Sequence, residues 1–167
     1  MTRVHSFPPL ANVRAGHLVL GSMPGKASLL ANQYYAHPRN AFWPIIAELF
    51  GIPVSLPYAQ RCRRLRQQRM AVWDVLKTCT RTSSLDSDID ETSIVTNDFA
   101  EFFAGHRRIQ RIYFNGAAAE KMFCKYVLPT LDQRVMEIPR QRLPSTSPAN
   151  ASYSFEHKLA CWRVLVE

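Results

Sequence analysis

Short apolar runs with strand character alternate along this chain with longer segments of helical periodicity, and no other feature constrains the fold as much. Strands are predicted at residues 17–20, 108–114 and 133–138, and residues 70–76 form a further short buried run. Alternation of this kind implies parallel strands joined by helices that cover both faces of a sheet. The sequence therefore predicts an α/β fold, a three-layer α/β/α sandwich around a central, mostly parallel, four-stranded sheet.

Capping and helix-ending residues predict where the helices between these strands begin and end. Asn40 is a good N-cap for a helix over residues 42–50, which Gly51 and Pro53 end. The remaining helices are predicted, in chain order, over residues 59–68, from Asn97 or Asp98 to Gly105, over residues 117–126, and from a cap at Ser152 through an apolar face of Phe155, Leu159, Trp162 and Val166.

The size and composition of the chain suit one domain, residues 1–167, since there is no internal repeat, low-complexity tract or linker. A hydrophobic fraction of 47% is enough for a real core. No apolar run approaches the roughly 18 residues of a membrane span, and no signal-peptide pattern opens the chain. We therefore expect a cytoplasmic protein, a monomer with no membrane partner.

Charge and cysteine usage narrow the possible partners. The net charge of +8, from 21 basic and 13 acidic residues, favours a polyanion such as DNA. Five arginines cluster within nine positions, although a solvated helix face explains them equally well: Arg61, Arg63, Arg64, Arg66 and Arg69. The cysteines Cys62, Cys79, Cys124 and Cys161 lack any short ligand spacing, so we predict no metal site.

Ligands of parallel α/β folds bind beyond the carboxyl ends of the strands. Three segments follow strand ends here and should converge on one crevice: the strand-end turn (residues 21–25), the pair Asn115 and Gly116, and the hydroxyl-rich loop (residues 143–150). Taken alone, the strand-end turn is interpreted as a structural turn and the hydroxyl-rich loop as an ordinary surface loop. Residues 34–43 add aromatic rings around His37 and Asn40, which suits a planar, hydrogen-bonding ligand such as a nucleobase, although Phe42 and Trp43 equally suit a helix core.

The order and spacing of these segments resemble the uracil-DNA glycosylase superfamily over most of the chain. The closest pattern is that of the mismatch-specific uracil/thymine branch and its hypoxanthine-DNA glycosylase relatives. The detail looks most like the hypoxanthine (deoxyinosine) group, through residues 73–75, Asn115 with Gly116, and residues 145–150. The resemblance implies that the enzyme flips a damaged base out of DNA and hydrolyses its glycosidic bond without a metal or other cofactor.

The resemblance also implies roles for individual residues. Tyr35 matches the aromatic position that stacks on the flipped base, and Asn40 matches the catalytic amide. The base pocket is expected to comprise Gly21, Ser22, Met23, Pro24, Gly25, Tyr35, His37 and Asn115. Contacts to the duplex and its phosphates are expected from Arg39, Ser145, Thr146, Ser147, Pro148, Ala149 and Asn150.

Two departures from the family pattern bear on the substrate. Ser22 and Met23 stand where most relatives carry Asp or Asn to position the water, and Ser145 stands where the strongest uracil enzymes carry His. Both favour hypoxanthine over uracil. Asn40 cannot accept a proton as a general base, so a slow enzyme is expected.

Several alternatives stay open on the sequence alone. Asn40 has a competing role as a helix cap, His37 as a partner of the following turn, and Asp74 as the residue that activates water. Asp86, Asp88, Asp90 and Glu91 read as solvated surface. At the level of function, the alternatives are a mismatch- or single-strand-specific uracil-DNA glycosylase and a non-catalytic DNA-binding protein of the same fold.

Overall fold

A computed structural model describes residues 2–167 and places four parallel strands in a central sheet. These are β2 (His17–Gly21), β3 (Met70–Asp74), β6 (Arg111–Asn115) and β7 (Arg140–Leu143), in the order β3-β2-β6-β7. The inner strands are apolar because helices cover both of their faces. The predicted four-stranded parallel sheet is confirmed.

Helices form a layer on each side of this sheet, and each side has its own apolar core. One core holds Ile45, Leu65 and Trp162 from α2 (Phe42–Phe50), α3 (Tyr58–Gln67) and α7 (Phe155–Trp162). The other holds Phe103 and Ala119 from α4 (Phe99–Gly105) and α5 (Ala117–Met122). The three-layer α/β/α arrangement is therefore also confirmed. The short helix α1 (Lys26–Ala31) follows the strand-end turn.

A second sheet was not predicted. It is antiparallel, with the order β1-β4-β5, and consists of β1 (Thr2–His5), β4 (Leu76–Arg81) and β5 (Ile89–Thr96). Only Val75 separates β4 from β3, so the apolar run at residues 70–76 passes from one sheet into the other. The strand β5 escaped prediction because most of its side chains are polar and at least partly exposed.

The strand predicted at residues 133–138 is wrong. Asp132 accepts a hydrogen bond from the Val135 amide at 3.0 Å and caps a helical turn, α6 (Gln133–Met136). The strand comes later, at β7, where three of the four side chains are exposed. Its sequence, Arg-Gln-Arg-Leu, carries no alternation that could mark an edge strand.

Several helix ends also differ from those predicted. The last helix is capped by Ser154, whose Oγ accepts from the His157 amide at 3.1 Å, and not by Ser152. The cap and the end of α4 agree with the prediction, since Asp98 is one of the two caps expected and the helix ends at Gly105. The helix predicted over residues 117–126 is α5 followed by one π-helical turn, Phe123–Val127. Within residues 2–167, no helix has both the length and the apolar character needed to cross a bilayer.

Candidate active site

A cavity of about 410 Å³ lies at the carboxyl edge of the central sheet. It brings together most of the residues singled out from the sequence: Gly21, Ser22, Met23, Pro24, Gly25, Tyr35, His37, Asn40, Asn115, Ser145, Thr146, Ser147 and Pro148. Ala149 and Asn150 line an adjoining groove of about 660 Å³ instead. Arg39 is exposed and lines neither space.

Strand register builds the floor of the cavity. Gly21 is the register partner of Asp74, and their strands β2 and β3 are neighbours in the parallel sheet. Asn115 ends β6 on the other side of β2, one residue beyond the pair of Leu20 and Phe114. Because side chains alternate along a strand, these three residues face the same side of the sheet as Val19. The floor therefore consists of the Asp74 carboxyl, the Gly21 backbone and the Asn115 amide, on three neighbouring strands.

Asp74 is the most unusual group of this floor. Only 3% of the residue is exposed, and its Oδ2 has no hydrogen-bond partner among residues 2–167. Burial, assisted by the negative charge of Asp86 and opposed by Arg81, raises the pKa of the Asp74 carboxyl from 3.8 to about 7. The Oδ2 atom of Asp74 is therefore available to accept a hydrogen bond from a ligand in the cavity.

Tyr35 forms a wall beside this carboxyl. Its ring packs on Phe42 with centroids 4.2 Å apart, in a backbone conformation with a φ of 56°. Its hydroxyl is buried and makes no hydrogen bond of ordinary geometry within residues 2–167. Burial, with the nearby Asp74 charge, raises the Tyr35 pKa, while the Asn115 amide lies close enough to lower it in part. The hydroxyl is therefore a neutral donor.

Phe42 and Trp43 belong to the core, as their alternative interpretation held. Phe42 has no exposed surface, and Trp43 is 5% exposed with its indole N–H donated to the Tyr34 carbonyl at 2.8 Å. Their contribution to the cavity is to hold Tyr35 in place.

The side chain of Asn40 has a fixed orientation. Its Oδ1 accepts a hydrogen bond from the Phe42 amide at 2.9 Å, at the start of α2. Since an N–H can only donate, this contact identifies the oxygen and leaves the Nδ2 protons for a ligand. Asn40 therefore takes part in the start of the helix and also lines the cavity.

His37 makes the local contact that was its alternative interpretation. Its Nδ1 accepts from the Arg39 amide at 3.0 Å. The ring proton of the neutral imidazole then lies on Nε2, which can donate to a ligand.

Asn115 fastens the hydroxyl-rich loop to the end of β6. Its Nδ2 donates to Thr146 Oγ1 and its Oδ1 accepts from the Thr146 amide, both at 2.9 Å. The Thr146 carbonyl in turn accepts from the Ala41 amide at 3.0 Å. Because Thr146 is 1% exposed, this loop is a fixed wall, and much of the Asn115 amide is already engaged.

The loop between β4 and β5 forms the opposite rim, which the sequence did not indicate. Asp86, interpreted as solvated surface, is exposed but lines the cavity, and its Oδ1 accepts from Ser22 Oγ at 2.6 Å. Surrounding protein removes part of its hydration and raises its pKa, although the Ser22 hydrogen bond opposes this. Ser84 Oγ accepts from the Lys26 amide at 2.9 Å. No local pattern marks these contacts, which join residues about sixty positions apart.

Four of the five clustered arginines lie on α3 and Arg69 follows its end, and none of the five lines the cavity. Arg61 is stacked over the Trp43 ring, with its guanidinium carbon 4.7 Å from the centroid. Within residues 2–167, His, Cys, Asp and Glu side chains nowhere gather in a group of three that could hold a metal ion.

Comparisons with known proteins agree with this architecture. A model of the uracil DNA glycosylase superfamily matches residues 8–166. A protein named hypoxanthine DNA glycosylase from Methanosarcina acetivorans is 32% identical over 149 residues, covering 89% of each chain. A protein of the same name from Methanosarcina barkeri is 32% identical over 111 residues, covering 66% of this chain and 69% of the relative.

A solved structure shares the whole fold. The solution NMR structure of a candidate uracil DNA glycosylase from Methanosarcina acetivorans superimposes with a TM-score of 0.78 at 29% identity. It covers 99% of this chain and 100% of that one. The cavity at the strand ends, the family match over nearly the whole length and the shared fold lead to one conclusion: this chain belongs to the uracil DNA glycosylase superfamily.

Proposed function

We propose that this protein is a monofunctional DNA glycosylase that turns a deaminated base, above all hypoxanthine, out of DNA and hydrolyses its N-glycosidic bond. The product is an abasic site. Two relatives that bear the name hypoxanthine DNA glycosylase support the substrate. The observation that carries the proposal is Asn40, whose amide is held by the Phe42 N–H so that its Nδ2 protons serve the cavity.

The cavity suits a flipped base. A volume of about 410 Å³ lies within the range of small-molecule sites. The ring of Tyr35, backed by Phe42, offers a flat surface on which a base can stack. Polar groups at the floor and at the entrance then meet the edges of the base.

The chemistry requires stabilisation of a departing base. Cleavage passes through an oxocarbenium-like sugar while negative charge grows on the leaving group. Hypoxanthine offers N7 and O6 as acceptors for that charge. The Asn40 Nδ2 donates to the departing base, because its Oδ1 is already engaged by Phe42. An amide cannot take a proton from the attacking water, so the enzyme is slow and relies on its leaving group.

The hydroxyl-rich loop and the adjoining groove bind the DNA. Ser145, Ser147 and Asn150 border the adjoining groove, whose hydroxyl and amide groups suit phosphate oxygens. The net charge of +8 adds long-range attraction to the strand. One chain supplies every wall of the cavity, so we propose that the protein acts as a monomer.

The test is release of bases from labelled strands that contain hypoxanthine, uracil, xanthine or a thymine mismatch, with alkali used to cut abasic products. We expect hypoxanthine release by the parent protein. Asn40→Ala should slow this release about 100-fold or more, as does loss of one donor to a developing charge. Asn40→Asp is the matched variant, because its carboxylate still accepts from Phe42 but no longer donates.

The outcomes separate the alternatives. Asn40→Asp should stay as stable as the parent and still lose the activity. If both Asn40 variants release hypoxanthine at the parent rate, the mechanism is wrong. Strong uracil release without hypoxanthine release would support a uracil-DNA glycosylase. Binding of DNA without release of any base would support a non-catalytic DNA-binding protein.

A further inference from the structure

The buried polar atoms without partners gather at one place in this molecule. Among residues 2–167 they are Tyr35 Oη, Asp74 Oδ2 and Arg81 Nη1. All three surround the strand-end turn: Asp74 and Tyr35 face Gly21, and the other guanidinium nitrogen of Arg81 donates to the Pro24 carbonyl. Buried polar groups are normally paired, so such a cluster beside a cavity indicates a site for a ligand.

Asp74 and Tyr35 both lie against the backbone of Gly21, so a ligand that binds them would lie beside this residue. A Cβ at position 21 would lie 2.6 Å from Asp74 Oδ1 and 3.0 Å from Tyr35 Oη. Only glycine lets the carboxyl and the hydroxyl approach β2 so closely. Arg81 does not neutralise the carboxyl, because no ion pair joins the two among the described residues.

Depth decides which part of a nucleotide Asp74 can touch. Asp74 and Asn115 end neighbouring strands at the floor, whereas Asn40 stands at the start of α2 and is partly exposed. A flipped nucleotide enters with its sugar toward the DNA. The floor therefore meets the edge of the base farthest from the sugar, and Asp74, only 3% exposed, belongs to that floor.

We infer that Asp74 is a specificity residue, which accepts a hydrogen bond from the N1–H of a flipped 6-oxopurine and so distinguishes hypoxanthine from adenine. This inference rests on the proposed function. Hypoxanthine carries a proton on N1, whereas adenine presents a lone pair there. A carboxylate oxygen binds the first and repels the second. The discrimination matters because adenine is the undamaged base from which hypoxanthine forms.

Ionisation of Asp74 strengthens this preference. The carboxyl titrates with a pKa of about 7, raised chiefly by burial. Below that pH its own proton can be donated to a lone pair at N1, and the discrimination weakens. The titratable and charged groups that face Asp74 are Tyr34, Tyr35, Arg81 and Asp86.

The experiment measures binding rather than release, so that it does not depend on the leaving group. Strands carry an uncleavable 2′-fluoroarabino nucleotide with either hypoxanthine or unsubstituted purine, which has a lone pair at N1. The parent should bind hypoxanthine about tenfold or more tightly than purine. In Asp74→Asn this ratio should fall by about tenfold, because an amide can also donate to N1.

The control is Glu137→Gln, which removes one exposed carboxylate that binds Gln133 before β7, at the opposite edge of the sheet. It should leave the ratio unchanged. A purely structural role of Asp74 would weaken both ligands equally, and an unchanged ratio in Asp74→Asn would overturn the inference. So would a parent protein that does not distinguish the two bases.

A second measurement needs no variant of Asp74. In the parent, purine binding should weaken relative to hypoxanthine as the pH rises from about 5.5 to about 8.5. Asp86→Asn should show the same trend displaced to lower pH, since the Asp86 charge helps to raise the pKa of Asp74. A ratio independent of pH in both proteins would contradict the inference. Failure of the proposed function is a separate result, the absence of hypoxanthine release from a cleavable strand.

Discussion

At the scale of single residues, Gly21 determines how the floor of the cavity is built. A methyl group at this position would stand 2.6 Å from Asp74 Oδ1 and 3.0 Å from Tyr35 Oη. The Asp74 side chain is short and 3% exposed, so it cannot swing away into water. The absence of a side chain at Gly21 is thus a requirement of the carboxyl beside it.

Gly21→Ala should therefore destabilise the protein by about 1–3 kcal/mol, as overpacking of a filled interior does. Urea unfolding followed by circular dichroism measures the change. The double variant Gly21→Ala with Asp74→Ala should recover part of the loss, because the added methyl group then occupies the space of the carboxyl. Equal stability of Gly21→Ala and the parent would contradict this account of the floor.

At the scale of elements, the strands and helices differ in how well the sequence predicts them. The inner strands β2 and β6 coincide with predicted strands, since β2 is a short apolar run and residues 108–114 alternate well enough to indicate a strand. The edge strand β7 is polar and exposed, and its pairing with β6 depends on partners that no local pattern reveals. The same holds for β5, where the acidic and hydroxyl side chains of an antiparallel edge resembled a loop.

The candidate site divides in the same way. Tyr35, Asn40 and the strand-end turn were found through their order in the chain, which the family pattern preserves. Asp86 is exposed, as expected, but its place at the cavity was not predicted, because its contact with Ser22 joins positions 64 residues apart. The sequence also did not predict that Asn115 binds Thr146, because this contact joins residues 31 positions apart.

The joint between β6 and the hydroxyl-rich loop gives a prediction of its own. Asn115→Ala removes both hydrogen bonds to Thr146 and leaves a buried N–H without its partner. We expect a loss of about 2 kcal/mol in the free energy of unfolding and faster hydrogen exchange of the Thr146 amide. Thr146→Val is the matched variant, because it keeps the hydrogen bond of the backbone amide. Thr146→Val should lower the free energy of unfolding by less than Asn115→Ala does. An equal or larger loss would show that the hydrogen bond of the Thr146 backbone amide contributes little to stability.

At the scale of the whole molecule, charge and burial oppose each other around the cavity. The chain carries a net charge of +8, which favours DNA at its surface. Its interior holds one carboxyl without an ion-pair partner among residues 2–167, at the floor of the site that is to receive a base. Such a group lowers stability when it is ionised, and it persists in a fold where the site needs it.

This cost makes the stability of the protein depend on pH in a direction opposite to that of a paired aspartate. Folding raises the pKa of Asp74 from 3.8 to about 7, so between these values the folded state binds more protons than the unfolded state. The contribution of Asp74 to the free energy of unfolding therefore falls as the pH rises through this window, by at most about 4 kcal/mol. Below the window both states are protonated, and Asp74 contributes no pH dependence.

Asp74→Asn isolates this effect from the other titrating groups. Relative to the parent, the variant should gain stability steadily from about pH 4 to about pH 7 and show a constant difference above it. Urea unfolding at several pH values, with Glu137→Gln as the control for loss of one exposed carboxylate, measures the difference. If Asp74→Asn instead loses stability relative to the parent as the pH rises, Asp74 is stabilised as an anion by its surroundings. The hydrogen-bonding capacity of this carboxyl would then already be satisfied within the protein, and it would not be free to bind the edge of a base.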